Sequence, residues 1–167
     1  IGERVDRLIE RQESIFVDQL VPALSAAGVR IVSWAELDTN DRKAMSALYD
    51  ERIFPVLTPL AVDPGHPFPY ISNLSLNLAV IVRDPDAGAR RFARVKVPSL
   101  LPRFVVLPDG ERFVPLEQVI AAHLDKLFPG MEIEQQFPFR VTRNTDLTLE
   151  EEEADDLLAL VEVELRR

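Results

Sequence analysis

Between Phe54 and Asn73 the chain reads FPVLTPLAVDPGHPFPYISN, with prolines at 55, 59, 64, 67 and 69. Prolines at this density exclude a regular helix and a central sheet strand, because each removes a backbone donor and fixes φ. The span predicts an extended connector, the longest irregular segment of the chain. From Asn73 onward the pattern changes. In NLSLNLAVIV, Leu74, Leu76, Leu78, Val80 and Val82 fall on one side and Asn73, Ser75, Asn77 and Ala79 on the other. That period of two predicts a half-exposed antiparallel strand.

The turn DPDAG leads into RFARVKVP, the expected partner strand, with Ala93, Val95 and Val97 on one face and Phe92, Arg94 and Lys96 on the other. RFVVLPDGERFVPL predicts two short strands around Pro-Asp-Gly, and MEIEQQFPFRVTRN a last strand bulged at Pro138. VRIVSW predicts one more short strand.

The helical signals lie outside these runs. Ile1, Val5, Leu8, Ile9, Ile15, Phe16, Leu20 and Leu24 recur at helical spacing, with Gly28 as C-cap and Pro22 as a kink. No cap precedes Ile1, so the element is expected to start earlier. LDTNDRKAMSALYDERIF predicts a helix capped by Thr39 or Asn40, and PLEQVIAAHLDKLFPG one with Pro115 near its first position. In TLEE, Thr148 and Glu151 form a capping box, and Glu150 to Glu153 crowd a first turn where the helix dipole favours anions. Helix energetics alone explain that carboxylate run.

The expected fold is α+β: an antiparallel sheet from segments near 73–83, 91–97, 103–107 and 132–143. Helices near 40–53, 115–127 and 148–167 flank it, and a long N-terminal helix near 1–27 precedes it.

The chemistry-bearing residues are few. The chain has no cysteine, hence no disulfide and no thiolate site, which fits the cytoplasm. Its apolar runs are too short to span a membrane. A net charge of −9 disfavours non-specific nucleic-acid binding. There is no glycine-rich phosphate loop, no G-x-S-x-G, and no His or Cys cluster at metal spacing. His123 falls on or beside an apolar helix stripe and reads as a packed histidine; His66 lies in the proline-rich connector with nothing paired to it in sequence. Arg140 and Arg143, with Thr142 and Asn144 beside them, could hold an oxyanion, against the default of a solvated strand edge.

Four blocks together resemble the larger, histidine-phosphorylated type of polyphosphate kinase: FPVLTPLAVDPGHPFPYISNLSLNLAVIV, FARVKVPSLLPRFV, FVPLEQVIAAHLDKLFPGM and FRVTRNTDLTLEEEEADDLL. The resemblance covers essentially the whole chain. It implies a fragment: residues 1–28 as the last helix of an N-terminal helical domain, and 29–167 as part of a head domain. The family's enzymes use magnesium and ATP to extend polyphosphate reversibly through a phosphohistidine. That histidine and its partner belong to domains beyond Arg167, and a nucleotide-binding segment belongs before Ile1. So no catalytic residue and no metal ligand is expected here, and no cofactor bound to the fragment. Arg140 and Arg143 are the candidate polyphosphate-binding residues. The implied partners are polyphosphate, ATP and ADP, with a homo-oligomer expected and no nucleic acid. The alternative is a stand-alone anion- or RNA-binding or assembly module. The acidic charge, and the absence from any one segment of an aromatic-plus-basic stripe, count against it.

Overall fold

A computed structural model describes residues 2–62 and 71–142. In chain order the helices are α1 (Gly2–Ile15), α2 (Val21–Ala26), α3 (Thr39–Leu48), α4 (Leu116–Ala121) and α5 (Leu124–Leu127). The strands are β1 (Arg30–Ile31), β2 (Pro59–Val62), β3 (Leu76–Arg83), β4 (Arg90–Lys96), β5 (Phe104–Val106), β6 (Arg112–Pro115) and β7 (Glu132–Arg140). They divide into two compact units, Ile1–Leu57 with Pro98–Pro129, and Thr58–Val97 with Gly130–Arg167.

The first unit begins with the expected long helix. α1 passes through one π-helical turn, Phe16–Leu20, into α2. The widened turn places Pro22 at the start of a fresh helical segment, where its missing N–H is no loss, so the helix continues past it. Gly28, at φ 84, ends it, and the Val29 N–H returns to the Leu24 carbonyl at 2.9 Å. No residue of α1 is buried. Of the strand expected at VRIVSW only β1 forms, because Ser33 turns the chain: its N–H and Oγ–H both donate to Glu36, at 2.7 and 2.6 Å. α3 is capped by Asp38, not Thr39 or Asn40; the Asp38 carboxylate accepts the Asp41 N–H at 2.8 Å. A π-helical turn, Tyr49–Ile53, extends α3.

The sheet of this unit has the order β1-β6-β5, β1 parallel and β5 antiparallel to β6. The 103–107 segment therefore does not join the strand at 73–83, as sequence patterning suggested. It closes a local hairpin with β6 around Gly110, at φ 75, and so short a loop costs less entropy than a distant pairing. The helix expected over 115–127 breaks at His123. There the ring Nδ1 occupies the Val119 carbonyl at 2.8 Å, and the His123 backbone N–H turns instead to Ile120 at 3.0 Å. Met45, Tyr49, Ile53, Val114, Leu116, Val119, Ile120 and Leu124 form the core.

The second unit is a four-stranded antiparallel sheet of order β2-β4-β3-β7. β3 and β4 pair as expected, Val80 opposite Ala93, and bury Leu78, Val80, Val82, Ala93 and Val95. β2 was hidden in the proline-rich connector. It is an edge strand with Pro59 at its first position, which is where a sheet accepts proline. The bulge in β7 sits not at Pro138, which pairs in register with Leu78, but where the register shifts between Ile81 and Val82. Asn77, expected on the exposed face, is fully buried. The helix expected over 148–167, with Thr148 and Glu151, lies outside the described residues, as do His66, Arg143 and Asn144.

Candidate functional site

Arg140 is the last residue of β7, opposite Leu76 at the start of β3. Its guanidinium is exposed and makes no ion pair with another described residue. One row away, Asn77 stands between Lys96 on β4 and Phe139 on β7. Lys96 is also exposed and also makes no ion pair among the described residues. The two cations flank the same end of β3, two strand spacings or roughly 10 Å apart. They leave the sheet from opposite faces, since Arg140 shares the side of Leu76 and Lys96 that of Asn77.

A polar turn closes this end. The Leu74 N–H donates to the Val141 carbonyl at 2.8 Å, and the Ser75 hydroxyl to the Ser72 carbonyl at 2.7 Å. Asn77 Nδ2 donates to the Ser75 carbonyl and hydroxyl at 2.9 and 3.1 Å, while its Oδ1 is buried with no hydrogen-bond partner among the described residues. Leu74 adopts φ 59, a left-handed conformation that leucine takes only when the turn demands it.

The charge of the sheet differs from that of the chain. β3, β4 and β7 carry Arg83, Arg90, Arg91, Arg94, Lys96 and Arg140 against two carboxylates, Glu132 and Glu134. Those carboxylates are committed to Arg83 and Arg90, with Arg83 Nε 3.2 Å from Glu134. Arg94 is buried, and desolvation lowers the pKa of its guanidinium. These strands carry more cations than carboxylates although the chain as a whole is at −9; Arg91 and Arg140 fall on one face, and Arg83, Arg90 and Lys96 on the other. Sequence reasoning singled out Arg140 and passed over Lys96, because no sequence spacing links 96 to 140. Only the order β4-β3-β7 does.

His123 occupies a different setting. Its Nδ1–H donates to the Val119 carbonyl, so Nε2 is the acceptor for the Ser46 hydroxyl at 2.7 Å. The ring stacks on Tyr49 with centroids 4.4 Å apart and meets Trp34 edge-on at 5.3 Å. The Trp34 backbone N–H donates to Gln118 Oε1 at 2.7 Å, which holds the indole there. Burial, and after it the carboxylates of Asp125 and Asp50, push the Tyr49 phenol above its ordinary value. Both imidazole nitrogens are used and the ring is enclosed, so His123 pins α3 to the break between α4 and α5. Among the described residues no three His, Cys, Asp or Glu side chains converge as a metal site requires. No helix among them is long and apolar enough to cross a membrane.

Comparison with known proteins adds what the geometry does not. The family described as the polyphosphate kinase middle domain matches residues 40–167. A polyphosphate kinase of Streptomyces coelicolor is 54% identical over 167 residues, all of this chain and 22% of its own length. One of Mycobacterium marinum is 50% identical over 177 aligned residues, covering all of this chain and 24% of its own. The crystal structure of polyphosphate kinase from Porphyromonas gingivalis superposes with a TM-score of 0.76 at 33% identity, over 86% of this chain and 25% of that one. The chain thus spans less than a quarter of the length of the Streptomyces and Mycobacterium relatives.

Proposed function

This chain belongs to the polyphosphate kinase family, and from that premise we propose that it is a non-catalytic part of an enzyme that reversibly transfers the terminal phosphate of ATP to polyphosphate. In this reading the phosphohistidine lies outside the chain, and the four-stranded sheet guides the polyanion. Residues 1–28 form the last helix of a preceding helical domain, and 29–167 belong to the head domain. Support for the boundary comes from α1, which buries no residue, and from the family match, which begins at residue 40. Magnesium and ATP enter only through the family; the described side chains offer no metal ligand set. The cysteine-free sequence fits a cytoplasmic enzyme, and we assign it a homodimeric assembly.

The observation that carries the guiding role is Arg140, exposed, without an ion pair among the described residues, on a sheet with six cations against two carboxylates. Fixed guanidinium and ammonium groups attract a polyanion through their field and hold it by charge-assisted hydrogen bonds. Arg143 is kept as a second candidate from the sequence. The test is Arg140→Ala, Lys96→Ala and the double variant in the longer enzyme, with the Michaelis constant for polyphosphate measured as salt is varied. The constant should rise, its salt dependence should weaken, and the melting temperature should hold. A fall in melting temperature with unchanged polyphosphate kinetics makes both residues structural. The non-catalytic assignment is tested separately. The isolated chain incubated with magnesium and γ-labelled ATP should acquire no acid-labile phosphate, and label on His66 or His123 contradicts it.

A further inference from the structure

The sheet of the first unit ends at β5 with its edge unpaired among the described residues, and a cavity of about 270 Å³ lies against that strand. Its walls are apolar: Leu48 and Ile53 from α3 and the turn that extends it, Leu101 from the loop before β5, Phe104 and Val106 on β5 itself, and Leu116. Arg52 also lines it, two-thirds exposed, its nearest carboxylate that of Glu51 at 3.6 Å.

The register fixes what the edge offers. The Leu107 N–H donates to Arg112 at 2.9 Å, and the Arg103 carbonyl accepts from Leu116 at 2.9 Å. Alternation along an antiparallel strand then turns the N–H and C=O of Phe104 and Val106 away from β6. Both residues are exposed, and so are Phe54 and Val56. Phe104–Val106 is short, which itself limits edge pairing, but it holds no proline, no bulge and no charged side chain.

We infer that β5 and this cavity form a docking site for an extended segment of another protein, one with an apolar side chain closely followed by a carboxylate. Only an extended backbone matches outward-facing groups at every second residue. A space of this size, walled by leucine, isoleucine and phenylalanine, takes a branched aliphatic or aromatic side chain. The guanidinium of Arg52 at its lining supplies the charge complement for Asp or Glu. The inference concerns the first unit and stands apart from the guiding role given to the second.

The test uses a fluorescent octapeptide, Thr-Val-Thr-Leu-Thr-Glu-Thr-Val, blocked at both ends. Anisotropy should report binding, and amide exchange at Phe104 and Val106 should slow on addition of the peptide. Replacing its glutamate by lysine should weaken binding about tenfold, and Arg52→Glu in the protein should reverse that preference. N-methylation of the peptide's leucine should abolish binding. Arg52 is exposed, so the variant should melt with the parent and any loss is not one of folding. The inference fails if those two amides gain no protection, or if the charge exchange changes nothing. It fails also if slowed exchange depends on protein concentration alone, since that means two copies pair edge to edge. If the longer enzyme does not bind the peptide, its own chain covers the edge and the partner is not another protein.

Discussion

Among single residues, Arg112 holds two carboxylates at once. Its Nη1 and Nη2 form a bidentate pair with Asp41, at 2.6 and 3.0 Å, and its Nε engages Asp109. Asp41 is buried, so removing its carboxylate leaves part of a guanidinium without a partner in a half-buried place. Asp41→Ala should lower stability by about 2–3 kcal/mol, read as a shift of the urea midpoint at constant slope. Asp109 acts through pH. The Arg112 side chain first, then the backbone N–H groups of Arg112 and Glu111, hold its carboxyl well below the ordinary carboxylate range. A depressed carboxyl stabilises the fold at pH values above its unfolded value, about 3.9, and loses that effect as pH falls toward the folded value. Parent and Asp109→Asn should therefore differ in urea midpoint at pH 7 and converge as pH drops from about 4 to about 2. Curves that stay parallel over that range show that the carboxyl is not what matters.

At the scale of elements, two junctions are testable. His123 and Ser46 hold α3 against the α4–α5 break. Ser46→Ala should cost about 1 kcal/mol, and His123→Ala about 3, because the second loses a stacked ring and leaves the Val119 carbonyl without its donor. Neither should alter phosphate transfer in the longer enzyme, where a loss of turnover with intact folding would give His123 a chemical role. The second junction is the turn into β3. Leu74 is more than half exposed at φ 59, so Leu74→Gly trades little burial for relief of strain. It should leave stability unchanged or raise it by up to about 1 kcal/mol, whereas the β-branched Leu74→Val should lower it by about 1.

At the scale of the whole molecule, the long N-terminal helix stands out. Val5, Leu8, Ile9, Ile15, Phe16 and Leu20 are all more than 40% exposed, on an element that buries nothing. A stripe of that composition at helical spacing is a packing face. Leu8→Glu with Phe16→Glu should change the stability of the isolated chain by no more than about 0.5 kcal/mol per site. In the longer enzyme, where we propose that a preceding helical domain covers the stripe, the same pair should be strongly destabilising. Equal tolerance in both settings would remove that domain assignment.

Most elements were legible in the sequence, because local physics sets them. Alternation placed β3 and β4 and the face each buries, Pro-Asp-Gly placed the β5–β6 hairpin, and the helical stripe ran through α1 and α2. The family resemblance rested on the same residues. What the sequence could not settle were choices made between distant segments. Whether the β5–β6 hairpin joined the sheet of 73–83 or formed a sheet of its own with β1 was decided by pairing between segments far apart in sequence. β2 looks like connector in the sequence because Pro59 and the prolines around it mask a pairing that only an edge position permits. Asn77 has the alternation of an exposed residue, yet it is buried between β4 and β7. Arg140 could be named from its neighbours in sequence. The excess of cations around it, and Lys96 at the same end of β3, arise only when four strands assemble in the order β2-β4-β3-β7. Charge summed along a chain says nothing of charge summed across a sheet, because residues that share a field are brought together by pairing and not by sequence distance.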